Sequence, residues 1–587
     1  MSMNASRYWL GTLALVAVSP ACGGIADGSS PNPSETNSVV ESALSTHCHG
    51  YHGRPLQCDT LAASLQYPNT VFTSSASVAT GELQLAGQDI PAHCVLTGKM
   101  YERVSPIDGQ TYAIGFEMRL PLDWNRRFYY QGNGGMDGTV VPATGDTSGG
   151  GPLTSALLQG FAVISSDAGH NALQNPTFGI DPQARLDYGY QAVGKLTPMA
   201  KSVLRSAYGH KPVYSYIGGC SNGGRHAMVA ASRYADQYDG YLVGSPGLDL
   251  PEAAVSSIYG AQQYAPLAGG AVIPEGPFAG LPDLSAAFNP AEAALLSAKV
   301  LERCDELDGV ADGLVQDGVA CQSAFDLERD VPTCSGPRDG TCLTAAQKVA
   351  IGNAFSGGTT STGTPIYSSF PFDSGHASSG SQFWDFISPL ILDSGAVAFI
   401  FGTPPADPFT FVPPLFALMG NIDQLDASIF ATNATYTEAS QSFMVPPDPS
   451  NLNGLRKHGG RMLVYHGMSD PIFSAEHTRA WFESLDRRRI AQKVARLYLV
   501  PGMNHCSGGP ATDQFDLLTP LVRWVEQGEA PRQIIASARG PSNPGGFNFE
   551  VPPDWSPDRT RPLCPYPRVA EYRGGDVESA ESFTCRR

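Results

Sequence analysis

Ser221 stands in Gly219-Cys220-Ser221-Asn222-Gly223, the G-x-S-x-G spacing in which flanking glycines permit a strained turn that lifts a serine hydroxyl clear of the backbone. A serine at its ordinary pKa is a weak nucleophile, so acyl chemistry needs a base and an orienting acid further along the chain. Asp470 and His505 supply them in the order Ser, Asp, His. The Asn222 amide, opening the helix expected after the turn, would face a developing oxyanion. His466 as base, with Asp423 or Asp426 as acid, is the competing assignment.

These residues must be carried by elements that bring them together. Residues 126–131, 161–165 and 213–217 read as short buried strands, and 191–208 has helical periodicity, so the turn at Gly218 and Gly219 falls between a strand and a helix. Strand 461–465, helix 475–485, strand 496–500 and helix 514–526 resume the rhythm later. Asp470 and His505 then lie on loops after strands, where open sheets hold active groups. The alternation predicts an α/β-hydrolase fold on a mostly parallel sheet. Between 251 and 455 strands are hard to find, and Gly/Ser/Thr-rich and Pro-rich tracts appear. That segment is expected to be a large lid inserted into one catalytic domain formed by 48–250 and 456–587.

The chain has 587 residues, enough for a large core plus a second unit, and a net charge of −18 that excludes a nucleic-acid partner, which would need clustered cations. Twelve cysteines without a paired CxxC spacing point to an oxidising compartment. Arg7 followed by the apolar run 10–18 reads as an export signal, removed near Ala21, ahead of a flexible tether over 22–47. Ser19-Pro20-Ala21-Cys22 also loosely resembles a lipoprotein signal, which leaves open a membrane tether through acylated Cys22.

Asp305, Asp308 and Asp312 recur at short intervals among glycines, a pattern suited to a hard cation with oxygen ligands. Cys220 immediately precedes Ser221 and Cys506 immediately follows His505; a disulfide between them would clamp the two loops and fix the Ser-to-His geometry.

The blocks Gly218-Gly-Cys-Ser-Asn-Gly-Gly-Arg225, Tyr465-His-Gly-Met-Ser-Asp-Pro471, Pro501-Gly-Met-Asn-His-Cys-Ser-Gly-Gly-Pro510 and Pro91-Ala-His-Cys94 resemble the signatures of the tannase and feruloyl esterase family, over roughly 57–585. The resemblance implies a serine carboxylesterase acting on a small aromatic ester: feruloyl and other hydroxycinnamoyl esters, galloyl esters or mono(2-hydroxyethyl) terephthalate; the alternatives are a peptidase or a non-catalytic surface binding lipoprotein on the same fold, and the export signal is compatible with a secreted, periplasmic or outer-membrane lipoprotein form. It implies the Gly132 amide, in Gln131-Gly-Asn-Gly-Gly135, as second oxyanion donor. It further implies structural calcium held by Asp305, Asp308, Asp312 and the carbonyls of Val310 and Leu314. The implied disulfides are Cys58–Cys94, Cys304–Cys321, Cys334–Cys342 and Cys564–Cys585 besides Cys220–Cys506, leaving Cys48 to pair with Cys22 or to stay free.

In this family the lid shapes the pocket, and the terephthalate monoester hydrolase grips its substrate's carboxylate with a lid arginine. From 349 to 455 this chain has no Lys or Arg, and His376 is the one residue there able to become a cation. Burying an unpaired carboxylate costs several kcal/mol, so the lid is expected to favour neutral aromatic esters. Trp384, Phe411 and Phe416 are aromatics there that could stack an acyl group or simply fill the core.

Overall fold

Side chains alternate across a pleated strand, and here that alternation feeds two separate apolar layers. Phe128, Tyr130, Ile217, Tyr241, Val243 and Val464 pack on one face of the central sheet. Their neighbours Tyr129, Tyr216, Leu242, Leu463 and Tyr465 pack on the other. Strands buried on both sides read as short continuous apolar runs, which is why they are visible in the sequence.

The computed structural model describes residues 56–487 and 490–586. The expected signal, the tether, Cys22 and Cys48 lie outside the described residues. The sheet has nine strands: β1 (Thr70–Val78), β2 (His93–Val104), β3 (Thr111–Pro121), β4 (Arg127–Gln131), β5 (Ala162–Ser166), β6 (Tyr214–Cys220), β7 (Gly240–Gly244), β8 (Arg461–Gly467) and β9 (Ala495–Val500). Their order is β1-β2-β3-β5-β4-β6-β7-β8-β9. From β5 onward all pairs are parallel. The pairs β1/β2, β2/β3 and β3/β5 are antiparallel.

That antiparallel edge differs from the strand pattern expected. β2 and β3 alternate buried with half-buried or exposed residues, so polar side chains interrupt their apolar content and no continuous run marks them.

Helices α1 (Ala192–Tyr208) and α2 (Asn222–Arg233) follow the expected pattern; α1 ends on Gly209 at φ 76°, a left-handed C-cap suited to glycine. After β7 come α3 (Leu250–Tyr264), then α4 (Pro290–Cys304) and α5 (Ala345–Phe355), both opened by capping boxes, Asn289 with Glu292 and Thr344 with Gln347. Among the described residues no sheet strand falls between 251 and 455. The described residues nevertheless group as a single compact unit that includes this segment. Beyond β8 lie α6 (Ala475–Arg487) and α7 (Leu518–Gln527). α7 starts four residues later than the sequence suggests, because Asp516 accepts hydrogen bonds from the Leu518 and Thr519 amides and Gln514 exchanges backbone bonds with Ser537.

Among the described residues five disulfides close the chain: Cys58–Cys94, Cys220–Cys506, Cys304–Cys321, Cys334–Cys342 and Cys564–Cys585. They are the pairs that the resemblance implies.

Candidate active site

β6 ends at Cys220, α2 begins at Asn222, and Ser221 forms the sharp corner between them at φ 63°, ψ −127°, a strained conformation for a non-glycine residue. The corner survives because its neighbours fix it. The Ser221 amide donates to the Gly244 carbonyl at 3.0 Å, and the Ser221 carbonyl accepts from Arg225 N–H at 3.0 Å. The motif glycines are a packing requirement: a Cβ on Gly219 or Gly223 would lie 2.2 or 2.3 Å from the Gly132 oxygen.

Asp470 and His505 follow β8 and β9. His505 Nδ1 lies 2.8 Å from Asp470 Oδ2. The other Asp470 oxygen accepts from the Ile472 and Phe473 amides, each at 3.0 Å, which fixes the carboxylate plane. Burial alone would raise the Asp470 carboxyl, but the His505 and His466 rings outweigh it and hold it far below the ordinary range. An ionised Asp470 keeps the proton on His505 Nδ1, leaving Nε2 as the basic nitrogen. That Nε2 is buried and has no protein partner. The Cys220–Cys506 disulfide, with Cα atoms 5.9 Å apart, bonds the residue before Ser221 to the residue after His505.

The competing assignment fails on geometry. His466 is fully buried, with Nδ1 on the Thr478 hydroxyl and Nε2 on the Phe473 carbonyl, both at 2.8 Å. It lies beside Asp470 with neither nitrogen open to a nucleophile. Asp423 is taken up by the Ser361 amide and hydroxyl.

Gly132 requires a correction. Its N–H donates to the Gly218 carbonyl at 2.8 Å, extending the β4/β6 ladder, so it has no proton left for an oxyanion. Gly132 lies one residue too early: its carbonyl is wedged against Gly219 and Gly223. Gly134, on the exposed part of the same turn, faces the nucleophile instead; a Cβ there would lie 3.8 Å from Ser221 Cβ. Asn133 pins the turn by donating to Ser165 Oγ and the Ser166 carbonyl.

Residues 373–384 of the inserted segment are laced into the loops that carry Asp470 and His505. Asp373 Oδ2 accepts from the Ser469 hydroxyl at 2.7 Å and the Gly502 amide at 2.8 Å, and Gly375 N–H donates to Ser469 at 2.8 Å. Trp384 presents its ring edge-on to His505 at 4.9 Å, and Phe473 does the same at 5.2 Å. Phe411 and Phe416 instead pack on each other, Phe411 also on buried Phe399. Beside Trp384 a small cavity is lined by Ser257, Tyr264, Phe355, Phe370, His376 and Asp385, with no Lys or Arg among its residues. Burial holds the His376 ring below its usual pKa, and burial followed by the charge of Asp470 pushes Asp385 up to about 8. Asp385 and Asp373 had no spacing signal in the sequence, since both are set against the catalytic loops only by folding.

In the acidic loop, Asp305 accepts from the Asp312 and Gly313 amides, Asp312 pairs with Arg561, and Asp308 Oδ2 is buried without a partner. Among the described residues no three His, Cys, Asp or Glu side chains converge closely enough to hold a metal by themselves.

The model of the tannase and feruloyl esterase family matches residues 94–586. A mono(2-hydroxyethyl) terephthalate hydrolase from Piscinibacter sakaiensis is 39% identical over 535 residues, covering 84% of this chain and 85% of that protein. A probable feruloyl esterase from Arthroderma benhamiae is 28% identical over 492 residues, covering 80% and 81%. The fold matches feruloyl esterase B from Aspergillus oryzae with a TM-score of 0.70 at 20% identity, over 90% of this chain and 99% of that one. With the nucleophile turn, the acid and base loops and the disulfide joining them in place, the chain belongs to the tannase and feruloyl esterase family.

Proposed function

We propose that this carboxylic ester hydrolase cleaves neutral aromatic esters of the feruloyl, hydroxycinnamoyl or galloyl type by a Ser221–His505–Asp470 triad. The observation that carries the triad is the 2.8 Å Asp470–His505 contact on loops tied to the nucleophile turn by Cys220–Cys506. His505 Nε2 takes the Ser221 proton as Oγ attacks the ester carbonyl. The amides of Asn222 and Gly134 hold the oxyanion. His505 then returns the proton to the leaving alcohol, and water, deprotonated by the same nitrogen, releases the acid from the acyl-enzyme.

Preference for a neutral acyl group rests on charge. The cavity beside Trp384 contains a carboxyl group and a histidine whose charged form burial disfavours, and no Lys or Arg. A substrate carboxylate would meet no cation there. The 39% identity to the terephthalate monoester hydrolase supports a second reading, in which that monoester is turned over as well.

Calcium suits the acidic loop because Asp308 Oδ2 is a buried oxygen without a partner. Asp305, Asp308, Asp312, Val310 and Leu314 would hold it, and it would neutralise and stiffen the loop rather than take part in the reaction. The residues 251–455 act as the lid domain over the site. Export, with cleavage near Ala21 or acylation of Cys22, fits the five disulfides.

Methyl ferulate, methyl gallate and a terephthalate monoester, compared with wild-type protein and Ser221→Ala, test the reading. Turnover of a neutral ester that vanishes in Ser221→Ala is expected. Faster turnover of the monoester would overturn the charge argument and leave the triad standing, whereas ester turnover that survives in Ser221→Ala would remove the triad.

A further inference from the structure

Beneath the nucleophile turn lies a buried polar cluster that the reaction steps above do not use. The Asp137 side chain is 2% exposed, and its Oδ2 accepts from Asn222 Nδ2 at 2.7 Å and from His226 Nε2 at 2.9 Å. Asn222 Oδ1 in turn accepts from Arg225 Nε at 2.6 Å. Because a guanidinium only donates, this contact fixes which way the Asn222 amide points. Arg225 Nη2 also lies 3.2 Å from His226 Nδ1 and 3.4 Å from its Nε2, so the ring is packed against the guanidinium. The remaining Arg225 protons go to the carbonyls of Tyr188 at 3.0 Å, Gly189 at 2.7 Å and Met444 at 3.2 Å.

Asp137 occupies the far end of the glycine turn that carries Gly134. Its N–H donates to the Gly134 carbonyl at 3.2 Å, and its φ of 55° is a strained value for an aspartate. Its own carbonyl accepts from Asn175 at 3.1 Å, and the Met136 carbonyl lies 2.9 Å from His170 Nε2. The turn is held by its backbone contacts, by the Asn133 side chain and by the Tyr188 hydroxyl donating to the Gly135 carbonyl at 3.2 Å, and one Asp137 carboxylate oxygen, shared between Asn222 and His226, joins it to α2. The two amides proposed to hold the oxyanion sit on separate stretches of chain, and this oxygen bridges those stretches.

We propose that Asp137 is a positioning residue that sets the distance between the two halves of the oxyanion hole, by holding the Asn222 side chain while its own turn presents Gly134, with His226 and Arg225 fixing its orientation. The proposal rests on the esterase reading. Oxyanion donors act only when placed within a few tenths of an ångström of the developing charge, and an error of 1 Å costs about 100-fold. A clamp of this kind acts on the transition state and leaves ground-state binding nearly alone.

Asp137→Ala removes the shared oxygen, whereas Asp137→Asn keeps an acceptor oxygen of the same shape. Asn222→Ala removes the partner side chain and retains the backbone amide. For Asp137→Ala, kcat on the best ester is expected to fall about 30-fold with KM changed less than about threefold, and the affinity for a trifluoromethyl ketone, whose Ser221 adduct carries an oxyanion, should fall in parallel. Asp137→Asn should recover most of the loss. The double variant Asp137→Ala/Asn222→Ala should be within about twofold of the worse single variant, since each single change already breaks the Asp137–Asn222 contact.

Losses that multiply, a KM that rises while kcat holds, or an Asp137→Ala enzyme within about threefold of wild type in kcat would each overturn the clamp. Should Asp137→Ala not fold, Asn222→Ala alone is read by the same kcat and ketone criteria. If wild-type protein hydrolyses no ester, the esterase reading fails, and the clamp is read separately from the rate at which a fluorophosphonate labels Ser221 in each variant.

Discussion

Cys220 and Cys506, 286 residues apart in sequence, are disulfide-bonded with their Cα atoms 5.9 Å apart. The bond makes the Ser221 turn and the His505 loop one covalent unit, so the position of His505 relative to Ser221 does not depend on sheet packing alone. Removing it frees a very long loop in the unfolded chain and loosens a short-range geometry in the folded one.

Cys220→Ser/Cys506→Ser is accordingly expected to lose about 2–5 kcal/mol of stability and to lower kcat more than it raises KM. Urea unfolding and steady-state kinetics measure the two effects. A double variant as active as wild type would mean that the loops hold themselves in place.

Asp470→Asn should lower kcat by about three to four orders of magnitude while leaving the fold intact. The asparagine preserves shape, but its amide cannot favour the Nδ1-protonated ring of His505 or stabilise the imidazolium. A kcat within tenfold of wild type would remove Asp470 from the triad.

Asp385 gives a pH-dependent prediction. Burial first and the Asp470 charge second raise its carboxyl to about 8 in the folded protein. In the unfolded chain it titrates near 3.9, so between these values the folded state holds a proton that the unfolded state has released. Stability associated with this group is present at acidic pH and is lost as pH rises through that window. Asp385→Asn should therefore match wild type near pH 4 and exceed it in stability at pH 8. Urea unfolding at the two pH values decides it; an equal difference at both would show that Asp385 carries no shifted titration.

Calcium should raise the unfolding temperature relative to a chelator-treated sample, with about 2.7 kcal/mol gained at a hundred times the dissociation constant. Asp308→Asn should abolish the gain, because it alters the ligand oxygen that has no protein partner. An unfolding temperature indifferent to calcium in wild type would exclude the site.

The sequence by itself determined the elements whose signal is local. Runs such as Phe128 to Tyr130 are buried on both faces and need no partner to be read as strands, and Gly219, Ser221 and Gly223 mark a strained corner because few other residues could occupy it. The order of Ser221, Asp470 and His505, each after a strand, follows from the same local patterns, and the disulfide pairs followed from family resemblance. Tertiary structure decided what depends on distance between remote segments. The antiparallel strands β2 and β3 carry a half-exposed alternation that periodicity left unrecognised. Gly132 carries the same kind of amide as Gly134, and only the β4/β6 ladder shows that its proton is already used. His466, at the end of β8, and His505, on the loop after β9, are both histidines at the same end of the sheet, and only packing pairs both nitrogens of the first and leaves Nε2 of the second without a protein partner. Asp137, Asp373 and Asp385 gain their roles from contacts 85, 96 or more residues away or from the field of a distant carboxylate, and neither kind of relation leaves a trace in local spacing.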